Sequence, residues 1–469
     1  MKPSGNVWRE RLKGRLGLTI AAGLATASLY AEGVLKNGWI EVILLFPVAW
    51  YALAPTTSRT LQNALLSLTA VCVTVTISDL LLRPVLDRRL NYTALNVYSH
   101  RLPALPIVGR WDGNLNLVDV LYGDLAAMAG DPALREPREI VFQTDAAGFR
   151  NATVAPPIDL IVLGDSFGAG WGTTQDRIYA RLLETRYGRR VYNLSFPGGP
   201  YDQYVNFAIE SPKLNLAAHA LVVWTFFTGN DLDDAEGQIW DIDALPWKSG
   251  FSAWKVSYRT FRNRSPLNRL MEGLRGRVKG ETGQVIRRTL PNGQPMLFHR
   301  GQEVWGSQAR PQVEEHAHFP SLLRTMQAMK QLIDRTDATL LLLVLPTKGE
   351  VYRWIFEQRE PSIEDARSSG FAQAVMAACD RLELRCLDTK PYLVEEARRL
   401  FQSSGQLLWW RDDTHLGEQG HAAVAAFIAQ HMPSPASQAG TKQKEMRRQD
   451  PIRTTVYTKD VDVDDRAGR

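Results

Sequence analysis

The first residue that could do chemistry is a serine at the end of an apolar run. Residues 158–163 are mostly apolar and are followed by Gly164, Asp165 and Ser166, and then by small residues. A buried strand that ends in such a turn presents a side chain at the carboxyl end of a sheet, where open α/β folds bind their ligands. We interpret Ser166 as a candidate nucleophile. The alternative is an ordinary strand-to-helix turn in which Ser166 caps the helix.

Four further residues supply the other parts of a serine-dependent ester reaction. Such a reaction needs a base for the serine proton, an acid that orients the base, and donors for the developing oxyanion. We predict His415 as the base and Asp412, three residues before it, as the acid. The predicted oxyanion donors are the backbone N–H groups of Ser166 and Gly198 and the side-chain amide of Asn230.

These residues lie in blocks that resemble the motifs of the SGNH (GDSL) hydrolase superfamily, in the same order. The blocks are Gly-Asp-Ser at 164–166, Asn-Leu-Ser-Phe-Pro-Gly at 193–198, Gly-Asn-Asp at 229–231 and Asp-Asp-Thr-His at 412–415. The resemblance covers about residues 140–432. It implies a flavodoxin-like sheet, serine esterase or acyltransferase chemistry, and no metal or organic cofactor.

Two alternatives concern the same residues. Residues 164–168 also satisfy the G-x-S-x-G elbow of α/β-hydrolases, but no HGGG-type segment precedes them and the acid and base are only three residues apart. The family's Asp-x-x-His spacing favours Asp412 over Asp413, which we interpret as a helix cap or surface-loop residue. We expect Asp165 to set the turn, and His421 either to support the catalytic residues from behind or to be structural.

Strands and helices alternate from residue 158 onward. The predicted strands cover residues 158–163, 190–194, 218–227, 339–346 and 383–387, with helices between them. Such alternation indicates a parallel sheet covered on both faces. The predicted fold class is therefore α/β, a three-layer α/β/α domain over residues 158–432.

Two stretches depart from this alternation. Residues 84–157 are too apolar and aromatic for a disordered linker, and we predict that they form a connecting region. Residues 232–315 are predicted to be an insertion or lid, and they contain Trp240, Trp247, Trp254 and Trp305. These tryptophans suit stacking on a sugar or lining an acyl channel, and equally a small local core.

Residues 1–83 carry three apolar segments behind a basic leader. The segments are 16–35, 39–55 and 61–82. Because a spanning helix needs about 20 mostly apolar residues, we predict about three transmembrane helices. The basic leader should stay cytoplasmic, so an odd number of spans places the catalytic domain in the periplasm or outside the cell. If one segment does not span, the domain faces the cytoplasm.

Composition limits the remaining classes. The net charge of +5 on 469 residues comes largely from the leader, so we predict no nucleic-acid partner. Three cysteines exclude a disulfide scaffold and offer no zinc spacing. Cys379 and Cys386 could pair in an oxidising compartment. We expect the polar tail, residues 433–469, to be disordered.

The sequence thus predicts a membrane-anchored serine esterase or O-acyltransferase that acts on an acyl ester of a cell-envelope glycan or lipid. Ser166, His415 and Asp412 would form its triad, and the anchor and the tryptophans of the insertion suggest the substrate class. The alternative is a catalytically silent glycan-binding or scaffold component of an envelope polysaccharide machine, since a fold alone does not determine function.

Overall fold

The computed structural model describes residues 98–102, 105–235 and 281–432, together with positions 67 and 70, which are helical. The predicted membrane segments (apart from those two positions), residues 236–280 of the insertion and the predicted disordered tail lie outside the described residues. Among the helices that are described, none is both long enough and apolar enough to cross a membrane. The chain divides into two compact units, Met1–Phe427 and Ile428–Arg469. The second unit is described only over residues 428–432.

Two small antiparallel pairs precede the main sheet. Strands β1 (Ser99–Leu102) and β2 (Leu105–Trp111) form the first pair. Strands β3 (Asn116–Leu121) and β4 (Arg138–Gln143) form the second pair, and helix α1 (Asp124–Ala129) lies between them in the chain.

The main domain then alternates strands and helices. Its first half contains β5 (Ile158–Leu163), α2 (Ser166–Ala169), α3 (Tyr179–Tyr187), β6 (Val191–Asn193), α4 (Pro200–Glu210) and β7 (Leu216–Phe227). After residues 236–280 come the hairpin β8 (Val285–Thr289) and β9 (Pro295–His299), and the helices α5 (Arg300–Ser307), α6 (Arg310–Glu314) and α7 (Phe319–Ile333). The last part contains β10 (Thr339–Leu345), α8 (Lys348–Val351), α9 (Arg353–Phe356), α10 (Gly370–Leu382), β11 (Arg385–Asp388), α11 (Lys390–Ser404) and α12 (Glu418–His431).

Five parallel strands form the central sheet, in the order β11-β10-β7-β5-β6. Numbered along the domain, this is the flavodoxin-like order 2-1-3-4-5. Residues 220–227 of β7 and 340–345 of β10 are all buried, which requires cover on both faces of the sheet. The predicted parallel α/β fold is confirmed. Strand β5 lies between β6 and β7, where the strand order reverses and ligands bind in such sheets.

The predicted connecting region packs into the core of this domain. Trp111, Phe142 and Phe149 are each at most 1% exposed and share one core cluster with Phe196, which follows β6. The ring centroids of Trp111 and Phe196 are 4.6 Å apart. The aromatic residues that argued against a linker therefore join the segment to the sheet, and the segment can contribute side chains to a site there.

Part of the predicted insertion packs against the loop that carries His415. The backbone N–H of Leu297, in β9, donates to the carbonyl of Arg411 over 2.9 Å.

Further along the chain, Cys379 and Cys386 form a disulfide between the end of α10 and β11, so the pairing that the sequence left open is made. Helix α10 begins at Gly370, where Ser369 caps it by accepting from the N–H of Ala372 over 3.2 Å.

Candidate active site

Ser166 begins a one-turn helix immediately after β5. The side chain of Asp165 caps this helix by accepting from the N–H of Phe167 over 2.9 Å, so the prediction that Asp165 sets the turn agrees with the geometry. A side chain at Gly168 would clash with Ser195, because its Cβ would lie 2.4 Å from the Ser195 hydroxyl. The small residues after Ser166 thus allow β6 to approach the turn closely.

Ser166 and His415 are in direct contact. The Nε2 atom of His415 lies 2.9 Å from the Oγ atom of Ser166, which is hydrogen-bonding distance. Both side chains are partly exposed. His415 lies in the loop between α11 and α12, 249 positions away in sequence, so the fold brings together the two residues that the sequence analysis paired.

Asp413, and not Asp412, contacts the imidazole. The Nδ1 atom of His415 lies 2.8 Å from Oδ1 of Asp413, and the same oxygen accepts from the backbone N–H of His415 over 3.1 Å. An aspartate that bonds the backbone two residues ahead forms a tight turn, which folds its carboxylate back toward the residue at that position. This local turn favours a two-residue spacing over the three-residue spacing used in the prediction.

The structure therefore contradicts Asp412 as the acid that orients His415. The Asp412 carboxylate accepts from the backbone N–H groups of Gly123 and Glu136 over 2.7 and 2.8 Å, and from Arg138 over 2.9 Å. Gly123 has no room for a side chain, since its Cβ would lie 1.9 Å from the Asp412 carbonyl oxygen. Asp412 thus attaches the loop to the segment that precedes α1.

Arg138 bridges the two aspartates. Its guanidinium lies 2.9 Å from Asp412 and 2.5 Å from Asp413, and 4.4 Å above the ring of Trp410. Burial raises the pKa of the Asp413 carboxyl, but His415 and Arg138 outweigh this effect and lower the pKa below its ordinary value. Asp413 is therefore ionised throughout the physiological range.

The charge of Asp413 sets the basicity of His415. Burial lowers the pKa of the imidazole. The hydrogen bond and charge of Asp413, together with the charges of Asp124 and Asp165, outweigh burial and raise the pKa. A histidine with a raised pKa is a stronger base, which suits removal of a serine proton.

His421, which the sequence analysis interpreted as supporting or structural, is buried, and its Nδ1 accepts from the N–H of Tyr179 over 3.3 Å.

A further carboxylate, Asp124, lies beside the pair. It accepts from the backbone N–H and the hydroxyl of Thr414 over 2.9 and 2.6 Å. Potential ligand atoms of Asp124, Asp413 and His415 lie within 4.8 Å of one another, so these residues are the candidates for holding a metal ion. Because Arg138 already neutralises Asp413, the cluster is poorly suited to a cation.

Lys348 fixes the backbone of the same loop. Its buried Nζ donates to the carbonyl oxygens of Trp410, Arg411 and Asp413 over 2.7, 3.0 and 3.1 Å. Burial lowers the pKa of this ammonium to about 8. Three carbonyl acceptors match the three donors of an ammonium group, so Lys348 holds the loop in one conformation.

The predicted oxyanion donors flank the serine at the same edge of the sheet. Gly198 follows β6 and Asn230 follows β7, the two neighbours of β5. The Asn230 amide donates one hydrogen bond to the Asp234 carboxylate over 2.5 Å. The placement agrees with the sequence argument, and the role of each donor stays a prediction.

A cavity of about 280 Å³ adjoins the loop. Its lining combines aromatic, amide and charged side chains, including those of Glu136, Gln294, Gln406, Trp410 and Arg411. Polar side chains beside a partly exposed indole ring suit a ligand that has both polar groups and a flat apolar face, such as a sugar.

The sequence analysis missed Asp124, Arg138 and Lys348. Asp124 and Arg138 lie in the segment interpreted as a connector, and no local pattern marks them. Lys348 lies three residues after β10, at the carboxyl edge of the sheet where ligands bind. The position of Lys348 just after a predicted strand is the signal from which it could have been identified as a site residue.

Part of the chain matches a known family model. Residues 299–459 match a family model described as "SGNH hydrolase-like domain, acetyltransferase AlgX", and this stretch includes Asp413 and His415. The chain contains an SGNH hydrolase-like domain. A solved structure titled "Crystal Structure of TesA" is 13% identical, with a TM-score of 0.29, and the match covers 58% of this chain and 97% of that chain. No curated protein matches the chain.

Proposed function

We propose that this chain is a serine esterase or O-acyltransferase that works through an acyl-enzyme. The observation that carries the proposal is the continuous chain of contacts from Ser166 through His415 to Asp413, at 2.9 and 2.8 Å. A nucleophile, a base and an ionised orienting acid in this arrangement are what acyl transfer requires. The SGNH hydrolase-like domain supports the same reaction class.

In the proposed reaction, the Ser166 Oγ forms a bond to the acyl carbon while its proton passes to Nε2 of His415. The tetrahedral intermediate collapses, the bond to the leaving alcohol breaks, and His415 returns the proton to that alcohol. Water or a sugar hydroxyl then attacks the acyl carbon and gives its proton to His415. The bond between the acyl carbon and the Ser166 Oγ breaks, and His415 returns the proton to that oxygen. The N–H groups of Ser166 and Gly198 and the Asn230 amide donate to the oxyanion.

The substrate we propose is an acyl ester of a cell-envelope glycan or lipid. The matched family is described as an acetyltransferase, which favours transfer of a small acyl group over simple hydrolysis. The lining of the cavity beside Trp410 does not include Ser166 or His415, and its chemistry fits a glycan that binds next to the loop carrying the base. Both outcomes use the same three residues, so only the accepting hydroxyl distinguishes them.

We further propose that N-terminal helices anchor the chain in the inner or plasma membrane and that the catalytic domain lies outside the cytoplasm. The three apolar segments of residues 1–83 and the basic leader support the anchor. The Cys379–Cys386 disulfide supports the location, because disulfides persist mainly in oxidising compartments.

Intact-protein mass spectrometry tests the proposed function. The full chain is incubated with an activated acetyl ester and sampled at short times, beside Ser166→Ala and the exposed control Ser307→Ala. We expect wild type and Ser307→Ala to turn over the ester and to gain the mass of one acetyl group, and Ser166→Ala to do neither. Full turnover by Ser166→Ala would refute the proposal.

A further inference from the structure

A second carboxyl group holds the residue that separates Asp413 from His415. Asp124, the first residue of α1, accepts from both the backbone N–H and the hydroxyl of Thr414, over 2.9 and 2.6 Å. The Thr414 hydroxyl also lies 3.2 Å from Nδ1 of His415. Asp124 thus attaches to the centre of the Asp413–His415 turn, from a segment nearly 300 positions away in sequence.

The positively charged side chains near Asp124 bind Asp413 and not Asp124 itself. Arg138 binds Asp413 and Asp412, and the Lys348 ammonium binds the loop carbonyls. Asp124 accepts hydrogen bonds from the neutral groups of Thr414 and shares a side-chain hydrogen bond with Asp413. Oxygen atoms of Asp124 and Asp413 lie within 4.8 Å of each other. Two carboxyl groups at such a distance do not both ionise readily. Asp413 therefore carries the negative charge, and Asp124 is the member of the pair that retains a proton.

We propose that Asp124 is a positioning residue of the reaction, which holds the Asp413–His415 turn through Thr414 and places a second carboxyl group beside the imidazole. This inference rests on the proposed function, because it concerns the base of the same reaction. Asp124 contacts neither the serine nor the predicted oxyanion donors, so it acts through His415.

The titration of Asp124 agrees with the geometry. Burial, and then the negative charge of Asp413, raises the pKa of Asp124 to about 7. Below that pH the group is neutral, and above it a second negative charge lies near the imidazole. A nearby negative charge favours the protonated imidazole, so ionised Asp124 raises the pKa of His415. Removal of the Asp124 carboxyl group should therefore lower the pKa of His415.

The matched substitutions are Asp124→Asn and Asp124→Ala. Asparagine retains an oxygen that accepts from Thr414 and can donate to Asp413, so it resembles protonated Asp124 at every pH. Alanine removes the attachment altogether. The control is Asp334→Asn, an exposed aspartate paired with Lys330 on helix α7. Thr414→Val provides a second route, since it removes the hydroxyl that bonds Asp124 and lies near Nδ1 of His415, and keeps the backbone N–H bond to Asp124.

The deciding measurement is the pKa of His415 from NMR of histidine-labelled full-length protein, with the His415 signal assigned by its absence in His415→Ala. We expect the His415 pKa to fall by about half a unit or more in Asp124→Asn, to fall less in Thr414→Val, and not to change in Asp334→Asn. An unchanged His415 pKa in folded Asp124→Asn would overturn the inference. If Asp124→Asn does not fold, the Thr414→Val result decides.

Kinetics provide the second readout. We expect the acidic limb of kcat/KM for Asp124→Asn to move to lower pH by the same amount, with KM unchanged. Asp124→Ala should lose kcat by about tenfold or more. A purely structural role would reduce the activity of both variants without moving the limb. Because the NMR titration does not require turnover, an inactive wild type would refute the proposed function and leave the inference on Asp124 to be decided separately.

Discussion

Asp413 lies 2.8 Å from Nδ1 of His415, whereas its neighbour Asp412 turns its carboxylate to Arg138 and to two backbone N–H groups. Adjacent aspartates thus have different tasks. One orients the base of the proposed reaction, and the other attaches the loop that carries it. Arg138 forms ion pairs with both aspartates, so it links the residue that orients the base to the residue that attaches the loop.

Asp413→Asn should nearly abolish turnover, while Asp412→Asn should mainly cost stability. Without its ionised acid, His415 can adopt the wrong tautomer, and we expect kcat/KM to fall by a factor of about 10³ to 10⁴. Asp412→Asn places an amide against two N–H donors, and we expect it to lower the free energy of unfolding by about 1–3 kcal/mol. Ester kinetics and denaturant unfolding measure the two effects. The opposite assignment, with Asp412→Asn inactive and Asp413→Asn active, would restore Asp412 as the acid.

The activity should have an acidic limb above pH 6.5. His415 must be neutral to accept the serine proton. Asp413, with smaller contributions from Asp124 and Asp165, outweighs burial and raises the pKa of His415 above its ordinary value of 6.5. As pH falls through that raised pKa, the imidazole is protonated and kcat/KM falls. A profile of kcat/KM against pH checks this expectation. A limb well below pH 6.5 would contradict the ionised Asp413–His415 pair.

The same pair gives stability a pH dependence of known sign. The raised pKa of His415 contributes stability that is complete below its unfolded value and is lost as pH rises through the folded value. The lowered pKa of Asp413 contributes stability that is present above its unfolded value and is lost as pH falls. We expect urea unfolding of His415→Gln and wild type to differ more at pH 6 than at pH 9. An equal difference at both pH values would count against the charged pair.

Lys348→Met should loosen the loop that carries Asp413 and His415. The substitution removes three hydrogen bonds from a buried ammonium and keeps most of the apolar stem. We expect the free energy of unfolding to fall by about 2–4 kcal/mol. We also expect kcat to fall, because the base is less well placed. The control is Lys330→Met, which removes a partly exposed i,i+4 ion pair and should change stability by less than about 0.5 kcal/mol. Equal effects of the two substitutions would show that Lys348 has no special role.

The sequence predicted the sheet because its signals are local. The apolar runs that became β5, β7 and β10 are bounded by turn residues, and their alternation with helices indicates a parallel sheet. Ser166 and His415 were found because a family motif contains each of them. The choice of Asp412 failed because spacing in sequence does not determine which of two adjacent carboxylates folds back on the ring. The bond from Asp413 to the His415 backbone decides this.

The supporting residues could not be predicted in the same way. Asp124 and Arg138 reach the site only because Trp111, Phe142 and Phe149 bury their segment against the sheet. That contact is long-range and leaves no periodic signal. The role of the tryptophans in residues 236–280 and the membrane spans of residues 1–83 stay predictions.

The Cys379–Cys386 disulfide should stabilise the domain and report its location. Closing a loop of this length stabilises a fold by about 2–3 kcal/mol, so the double variant Cys379→Ser/Cys386→Ser should have a lower Tm. In intact cells, the two cysteines should resist alkylation until a reductant is added. Free thiols at both positions in the native cell would contradict a domain outside the cytoplasm.

Labelling with a fluorophosphonate probe tests the central claim most directly. The probe reacts with a serine only when a base activates it, so it reports the Ser166–His415–Asp413 arrangement without knowledge of the substrate. We predict rapid labelling of wild type and of Asp412→Asn, slow labelling of Asp413→Asn, and none of Ser166→Ala or His415→Ala. Failure of the folded wild type to react, together with glycan binding that survives Ser166→Ala, would contradict the account and favour a silent scaffold.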